Sequence, residues 1–275
     1  MKMVASSKLL KTQRGITGLR QYAAGMKEMV GRLNSELLPE ERSRYTLASD
    51  NKRALLLSIA SNKGLCGTYN ALVIKRTLDH IHVLEKDGFE VHLLLVGRKL
   101  EDFFRKREFP IFQVNHEVIE HVNYHDSARF AGKMMELFDN KEFGRIDVVY
   151  NHFKNAVFQE LVTEQLLPVF WAGYQTEAVL GKSKYLAEEP KIILEPSRQE
   201  MADSLIPKYI QFNSYRIMLD ASASEHGARM TAMQKATDNA TELLKNLTLM
   251  YNKVRQAQIT REIVEIVSGA EVLNE

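Results

Sequence analysis

PKYIQFNSYRIMLDASASEHGARMTAMQKATDNATELLKNLTLMYNKVRQAQITREIVEIVSG, from Pro207 to Gly269, decides how this chain folds. Between those two residues there is no other proline and one glycine, Gly227. Pro207 suits a first helical turn and Gly269 a position just past a helix end. Ala, Leu, Met, Lys, Gln and Glu dominate the interior, and all are good helix formers. The stretch predicts one unbroken helix of roughly sixty residues, about 90 Å long at 1.5 Å per residue. That is too long for one compact core. Leu219, Ala223, His226, Met230, Met233, Thr237, Ala240, Leu244, Leu247, Tyr251 and Val254 recur at alternating steps of three and four. Such spacing is the seam of a coiled coil. Ala223, Ala240, Met230 and Met233 are small or flexible, unlike the Ile and Leu of a static zipper. The helix is either a long member of a bundle or a shaft needing a second helix for its seam.

A second register lies at the other end of the chain. Ala5, Leu9, Thr12, Ile16, Leu19, Ala23, Met26, Val30, Leu33 and Leu37 repeat the same spacing, and Pro39 closes the run. Two such helices at opposite ends of one chain bury their seams against each other or against a partner. An antiparallel intramolecular coiled coil is the economical solution, with the middle of the chain inserted at one end of it. The expected division is a first coiled-coil helix in residues 1–50, an inserted domain in 51–205 and the C-terminal helix in 206–275. The N-terminal pattern opens at Met1 without a capping residue, and its helix is shorter than its partner by about twenty-four residues, roughly 36 Å of shaft. Either another protein clasps the distal C-terminal helix or a helical segment of about twenty residues precedes Met1 in the native product, and both can hold. Mass spectrometry of the native subunit decides the second point. Up to Ser35, Lys2, Lys8, Lys11, Arg14, Arg20, Lys27 and Arg32 face a single acid, Glu28, on this helix. They form a solvated face or meet an acidic partner. No aromatic or Gly-Arg interleaving accompanies them, which argues against nucleic acid.

The bulk numbers agree with a soluble protein. The chain has 275 residues, a net charge of +2, 45% hydrophobic and 26% charged residues. No run approaches the eighteen or so apolar residues of a membrane span, and no secretory core opens the chain. The one cysteine, Cys66, cannot form an internal disulfide, which fits a reducing compartment. A cytosolic place, or one peripheral on the cytosolic side of a membrane, follows.

From Lys52 the period changes. ALLLSIA (54–60) reads as a buried strand, residues 69–86 as a helix, EVHLLLV (90–96) as a strand closed by Gly97, and 99–107 as a helix. A third strand at 109–114, a helix at 125–139, and strands at 146–153, 156–163 and 191–194 follow, with a loop-like tail from Phe170 to Glu189. Alternating strands and helices predict a Rossmann-like α/β domain with a largely parallel sheet.

SNKGLCGTYN (61–70) stands where phosphate and dinucleotide loops stand, between the first strand and a helix. It lacks Gly-Lys-Ser/Thr and has two glycines, Gly64 and Gly67, where the dinucleotide fingerprint has three. These glycines read as a tight structural turn. His121 and His125, and His80 and His82, form no HExxH motif, and no paired cysteines exist. No triad or carboxylate pair stands out. No cofactor, metal or catalytic residue is assigned, and the chemistry is expected on another chain.

Three stretches then resemble the gamma subunit of the F-type ATP synthase. They are MKMVASSKLLKTQ (1–13), SNKGLCGTYN (61–70) and, above all, residues 223–273 from ASEHGARM to GAEVL; LLPVF (166–170) also fits. The resemblance implies a non-catalytic central rotor shaft that carries torque between ion flow through the membrane ring and ATP synthesis or hydrolysis on the beta subunits. It implies a coiled coil inside a hexamer of alternating alpha and beta subunits, an α/β domain on the membrane c-ring beside the epsilon subunit, one copy per complex, and no nucleic acid. The family carries some twenty further residues before the MKMV stretch. The redox cysteine insert of the chloroplast branch is missing, which points to a bacterial source and the cytoplasmic face of its membrane. By resemblance, Lys2, Lys8 and Lys11 meet acidic loops of beta, and Arg255, Gln256, Gln258 and Thr260 make polar catch contacts. Ile263, Ile266, Val267, Ala270 and Val272 form an apolar bearing tip. Two other readings stay open on the residues alone: a coiled-coil adaptor or tether with an α/β head, and an α/β enzyme with helical arms. Because the phosphate-loop match fails, the isolated chain is expected not to bind ATP tightly. Calorimetry showing micromolar binding to the chain alone would overturn that.

Overall fold

The computed structural model describes residues 1–37, 42–170, 195 and 197–273. In chain order the elements are α1 (Lys2–Glu36), β1 (Arg53–Ile59), α2 (Tyr69–Lys86), β2 (Glu90–Val96), α3 (Arg98–Phe104), β3 (Ile111–Asn115), α4 (Tyr124–Asp139), β4 (Arg145–Phe153), β5 (Gln159–Leu167) and α5 (Arg198–Leu273). Short 3-10 turns lie at Arg44–Thr46 and Arg105–Arg107. The expected strand at 191–194 and most of the expected loop from Phe170 lie outside the described residues.

The five strands form one sheet in the order β3-β2-β1-β4-β5, parallel except for the antiparallel β4–β5 hairpin. The order follows from crossover handedness. β1-α2-β2-α3-β3 steps one way, and the right-handed crossover through α4 returns to the other side of β1. Helices α2 and α3 therefore cover one face and α4 the other. Ala54 and Leu56 pack with Val73, Ile81 and Leu84 of α2 and Leu100 and Phe104 of α3. Leu55, Leu57 and Ile59 face Phe130, Met134 and Phe138 of α4. Both faces are buried, which is why these strands read as continuous apolar runs rather than alternating ones. Gly97, between β2 and α3, adopts φ 107°, and a Cβ there would stand 2.3 Å from the Ala60 carbonyl oxygen. Only glycine fits that turn.

The two terminal helices pack together, antiparallel. Tyr22 meets Phe212 edge to face with centroids 4.7 Å apart, and Leu9 and Ile16 share a cluster with Leu219 and Ala223. Nearer the end of α1, Val30, Leu33 and Leu37 join Ala202, Ile206, Ile210, Ile217 and Met218 on the α4 face of the sheet. The heptad positions of α1 are its covered stripe: Ala5, Leu9, Ile16, Val30, Leu33 and Leu37 are buried and Thr12, Leu19, Ala23 and Met26 half-buried.

The start of α5 differs from the sequence expectation. The helix begins at Arg198, so Pro207 lies well inside it rather than in its first turn. An internal proline removes one helical hydrogen bond and crowds the carbonyl four residues back, at about 3 kcal/mol. Ala202, Ile206 and Ile210, all fully buried around Pro207, supply the compensation. Each large aliphatic side chain among them contributes about 1.5–3 kcal/mol on burial. Tertiary packing overrides the local signal. At the other end, Glu36 closes α1 and Leu37 is extended, with ψ 134°.

The chain divides into two units, Met1–Thr231 and Ala232–Glu275. The second is the remainder of α5, and its large apolar side chains are exposed: Leu244 at 68%, Tyr251 at 65% and Val254 at 60%. Leu33→Ala, at a site 2% exposed, is expected to cost about 2–5 kcal/mol of stability in urea denaturation. Leu244→Ala should change it by less than about 0.5 kcal/mol in the isolated chain. A large loss from the second substitution would mean that the distal helix face is already covered.

Candidate functional site

Two regions carry the candidate residues. The first is the exposed helix of the second unit. Leu243, Leu244, Leu247, Leu249, Met250, Tyr251 and Val254 are each more than half exposed, and all but Leu249 gather on one side of the helix. Ala240, Leu243, Leu244, Leu247, Thr248 and Tyr251 line a shallow apolar groove. Further on, Arg255, Gln256, Gln258 and Thr260 are exposed. The hydroxyl of Thr260 donates to the Gln256 carbonyl at 2.9 Å, and Gln258 donates to Glu262 at 3.2 Å. Ile259, Ile263, Ile266 and Val267 are 47–71% exposed. The backbone at Ala270 and Val272 is helical, and their side chains lie outside the described residues.

The second region is the anchorage of α5 on the α/β domain, within the first unit. Lys2, Lys8 and Lys11 stand exposed on α1. Arg229 pairs with the buried Glu225 one turn back, and its Nη2 donates to the Lys63 carbonyl at 2.9 Å. Tyr69 donates its hydroxyl to the Ala221 carbonyl at 3.1 Å. The loop that stands where a phosphate loop would stand therefore holds a helix. Its polar groups are engaged in its own structure: Asn70 accepts from Ser61 N–H at 3.1 Å and donates to Cys66 Sγ at 3.2 Å. Gly67 takes φ 62° and Leu65, two residues before it, φ 64°; Gly64 stands in open space. In open α/β sheets the ligand crevice lies at the carboxyl ends of the strands, where the strand order reverses, here between β1 and β4. Residues Glu225 to Thr231 of α5 lie across the loops that follow those two strands. Among the described residues no cluster of His, Cys, Asp and Glu could hold a metal ion.

Charges in this anchorage are perturbed. Burial raises the Glu225 carboxyl above its ordinary range, and the Arg229 charge offsets only part of that. Burial, with Arg229 and Lys8 nearby, pushes His226 down to about 4. Burial alone would lower the Arg216 guanidinium; Tyr150, Glu164 and Asp220 outweigh it and hold it above its ordinary value. Sequence reading passed over Arg216, Asp220, Glu225 and Arg229. The available signal was two opposite-charge pairs four residues apart, beside an apolar seam.

His226 has a consequence for stability. Its folded value, about 4, lies below the ordinary 6.5. As pH falls through 6.5 the unfolded chain takes up the proton first, so stability is full above that pH and is lost on the way down to about 4. Wild-type stability is expected to fall faster than that of His226→Gln across this window, by at most about 1.4 kcal/mol per pH unit. Parallel stability curves for the two proteins would show that His226 titrates normally in the fold.

A family profile described as ATP synthase matches residues 1–273. The ATP synthase gamma chain of Flavobacterium johnsoniae is 42% identical over 274 residues, covering 100% of this chain and 92% of the relative. That of Christiangramia forsetii is 39% identical over 280 residues, with coverage of 100% and 92%. Among solved structures, the central stalk and c-ring of the Tetrahymena thermophila mitochondrial ATP synthase contains a chain 26% identical to this one. It matches with a TM-score of 0.58, over 86% of this chain and 97% of that one. A distal helix whose apolar seam is exposed among the described residues, an α/β domain whose ligand crevice is taken by its own helix, and relatives of one kind along the whole length agree: the chain belongs to the gamma-chain family of the F-type ATP synthases, part of the central rotor stalk.

Proposed function

We propose that the distal part of α5 is the segment of the rotor shaft that a hexamer of alternating alpha and beta subunits encloses. The family role is non-catalytic transmission of torque. The observation that supports this placement is the helix beyond Ala232, whose seam residues Leu244, Leu247, Tyr251 and Val254 are each more than half exposed. An apolar stripe left exposed on a long helix needs a surface to bury it, and the inner wall of a hexamer supplies one. Within the sleeve, Ile263, Ile266, Val267, Ala270 and Val272 form the apolar bearing. Arg255, Gln256, Gln258 and Thr260 make polar contacts, and Lys2, Lys8 and Lys11 meet acidic loops of beta. The α/β domain sits on the membrane c-ring beside epsilon, at the cytoplasmic face of a bacterial membrane. No helix of the described residues is long and apolar enough to cross that membrane. The three-part division at residues 50 and 205 separates what goes into the sleeve from what meets the ring.

One copy per complex is the physical basis of the mechanism. A single chain has no threefold symmetry, so it presents a different surface to each of three catalytic sites. Each beta subunit is then biased to a different conformation by differential contact free energy, and turning the shaft moves the bias around. Ion flow supplies about 2.3 kcal/mol per charge per 100 mV.

Hydrogen exchange tests the sleeve. Glu262, Glu265 and Glu271 near the end of α5 oppose the helix macrodipole, at roughly 0.3–1 kcal/mol each when exposed. Amides from about Val254 onward are expected to exchange quickly in the free chain and slowly in the assembled complex. Equal protection in both states would mean that the hexamer does not order this helix, and the bearing assignment would fail.

A further inference from the structure

Helix α5 meets the β4–β5 hairpin along one straight stripe. Arg216, Asp220 and Ser224 are spaced by four, and Gly227 and Thr231 continue the row, so all five share one helix face. Their partners run from Tyr150 to Ala156 along β4 and the turn after it. Arg216 Nη1 donates to the Tyr150 hydroxyl at 3.1 Å, and Nη2 donates to Glu164 on β5 at 2.8 Å. Tyr150 itself donates to Glu164 at 2.7 Å. Arg216 Nη1 also donates to Asp220 Oδ2 at 3.3 Å, and His152 Nδ1 lies 2.7 Å from the same oxygen. Ser224 donates to the Asn151 carbonyl at 2.9 Å and Thr231 to the Ala156 carbonyl at 3.3 Å. At Gly227 a Cβ would stand 3.2 Å from the same Ala156 oxygen, so the absent side chain lets the turn close on the helix.

The stripe is an unusual way to fasten a helix. Ile217, Met218 and Ala221, on the adjoining face, already bury α5 in the core. Apolar contact is non-directional: it resists separation, and it offers little resistance to a helix rolling or sliding in its groove. Charge-assisted hydrogen bonds with a forked donor have fixed geometry and break on a small displacement. Buried ion pairs add little net stability over apolar residues of similar size, and their best-attested use is to specify register. Asp220 is 2% exposed and lies between Arg216 and His152, while the Arg216 and Glu164 side chains are 26% and 35% exposed, so the buried end of the row is Asp220.

We propose that Arg216, Asp220, Glu164 and His152 are positioning residues that lock the rotational and axial register of α5 on the β4–β5 hairpin, so that torque applied to the α/β domain turns the helix without slip. This rests on the rotor-shaft role argued above. The lock lies wholly within the first unit and touches none of the residues assigned to the hexamer. Its contribution is to the stiffness of coupling, and ATP hydrolysis at unloaded sites does not depend on it.

The test uses the assembled ATP synthase carrying this chain, reconstituted in vesicles, with ATP hydrolysis and ATP-driven ion uptake measured together by proton- and sodium-sensitive dyes. The triple variant Arg216→Met, Asp220→Leu, Glu164→Met replaces the charges together with apolar side chains. It is expected to keep the hydrolysis rate of the wild type while ions moved per ATP fall at least about twofold, with a lower thermal midpoint because the buried Tyr150 hydroxyl loses both partners. Ile217→Val, an apolar trim in the same interface, should leave that ratio unchanged. Asp220→Asn keeps size and removes one charge, and it should give a smaller loss in the same direction. It decides the matter if the triple variant does not assemble. A wild-type ratio in either assembled charge variant overturns the lock, as does an equal loss in Ile217→Val. Failure of the wild-type chain to assemble with catalytic subunits, or to support any ion uptake, would instead count against the shaft role.

Discussion

The covering of α5 is the constraint on which the rest of the structure depends. Between Ala202 and Thr231 this helix meets α1 on one face, the sheet on another and the polar row of Arg216, Asp220 and Ser224 on a third. In folded proteins most helical stability comes from packing rather than from propensity, and this helix runs 76 residues. Its N-terminal part is held because α1 and the sheet bury Ile206, Ile210, Ile217 and Leu219. The same burial tolerates Pro207 inside the helix. Apolar contact thus decides that the helix docks, and the polar row decides how it sits.

The α/β domain is an anchor built from parts that other proteins use for ligands. Its strand order places a crevice at the carboxyl ends of β1 and β4, the usual site of nucleotide binding in such sheets. Here Arg229 reaches across to the Lys63 carbonyl and Thr231 to that of Ala156. The buried Glu225 gains from Arg229 but still has a raised carboxyl value, because burial outweighs the pair. A fold can thus keep an ancestral-looking loop geometry while the chemistry of its residues serves attachment. Function resides in the site and not in the fold.

Much of this was legible in the sequence because periodicity survives without knowledge of partners. The heptad steps of α1 from Ala5 to Leu37 are its covered stripe, since side-chain direction on a helix depends only on spacing. The apolar runs 54–60 and 90–96 are strands buried on both faces, within a residue of the expected ends. The start of α5 was not legible: Pro207 signals a boundary locally, and only the packing of Ala202 and Ile206 on the sheet overrides it. Strand β5 runs from Gln159 to Leu167, displaced from the expected 156–163, because Asn155 caps the hairpin turn by accepting from the N–H groups of Val157 and Phe158.

By itself, then, the sequence determined two seam-bearing helices, an inserted α/β domain and the family, all properties carried by local spacing and short contiguous motifs. The tertiary structure decided which charged residues matter to one another. Arg216 and Glu164 are far apart in the chain and 2.8 Å apart in space, and nothing in either neighbourhood announces the other. Such pairs arise only when a helix and a hairpin are brought into one register. The docking that brings them together rests on burial summed over many side chains, a quantity no local pattern contains.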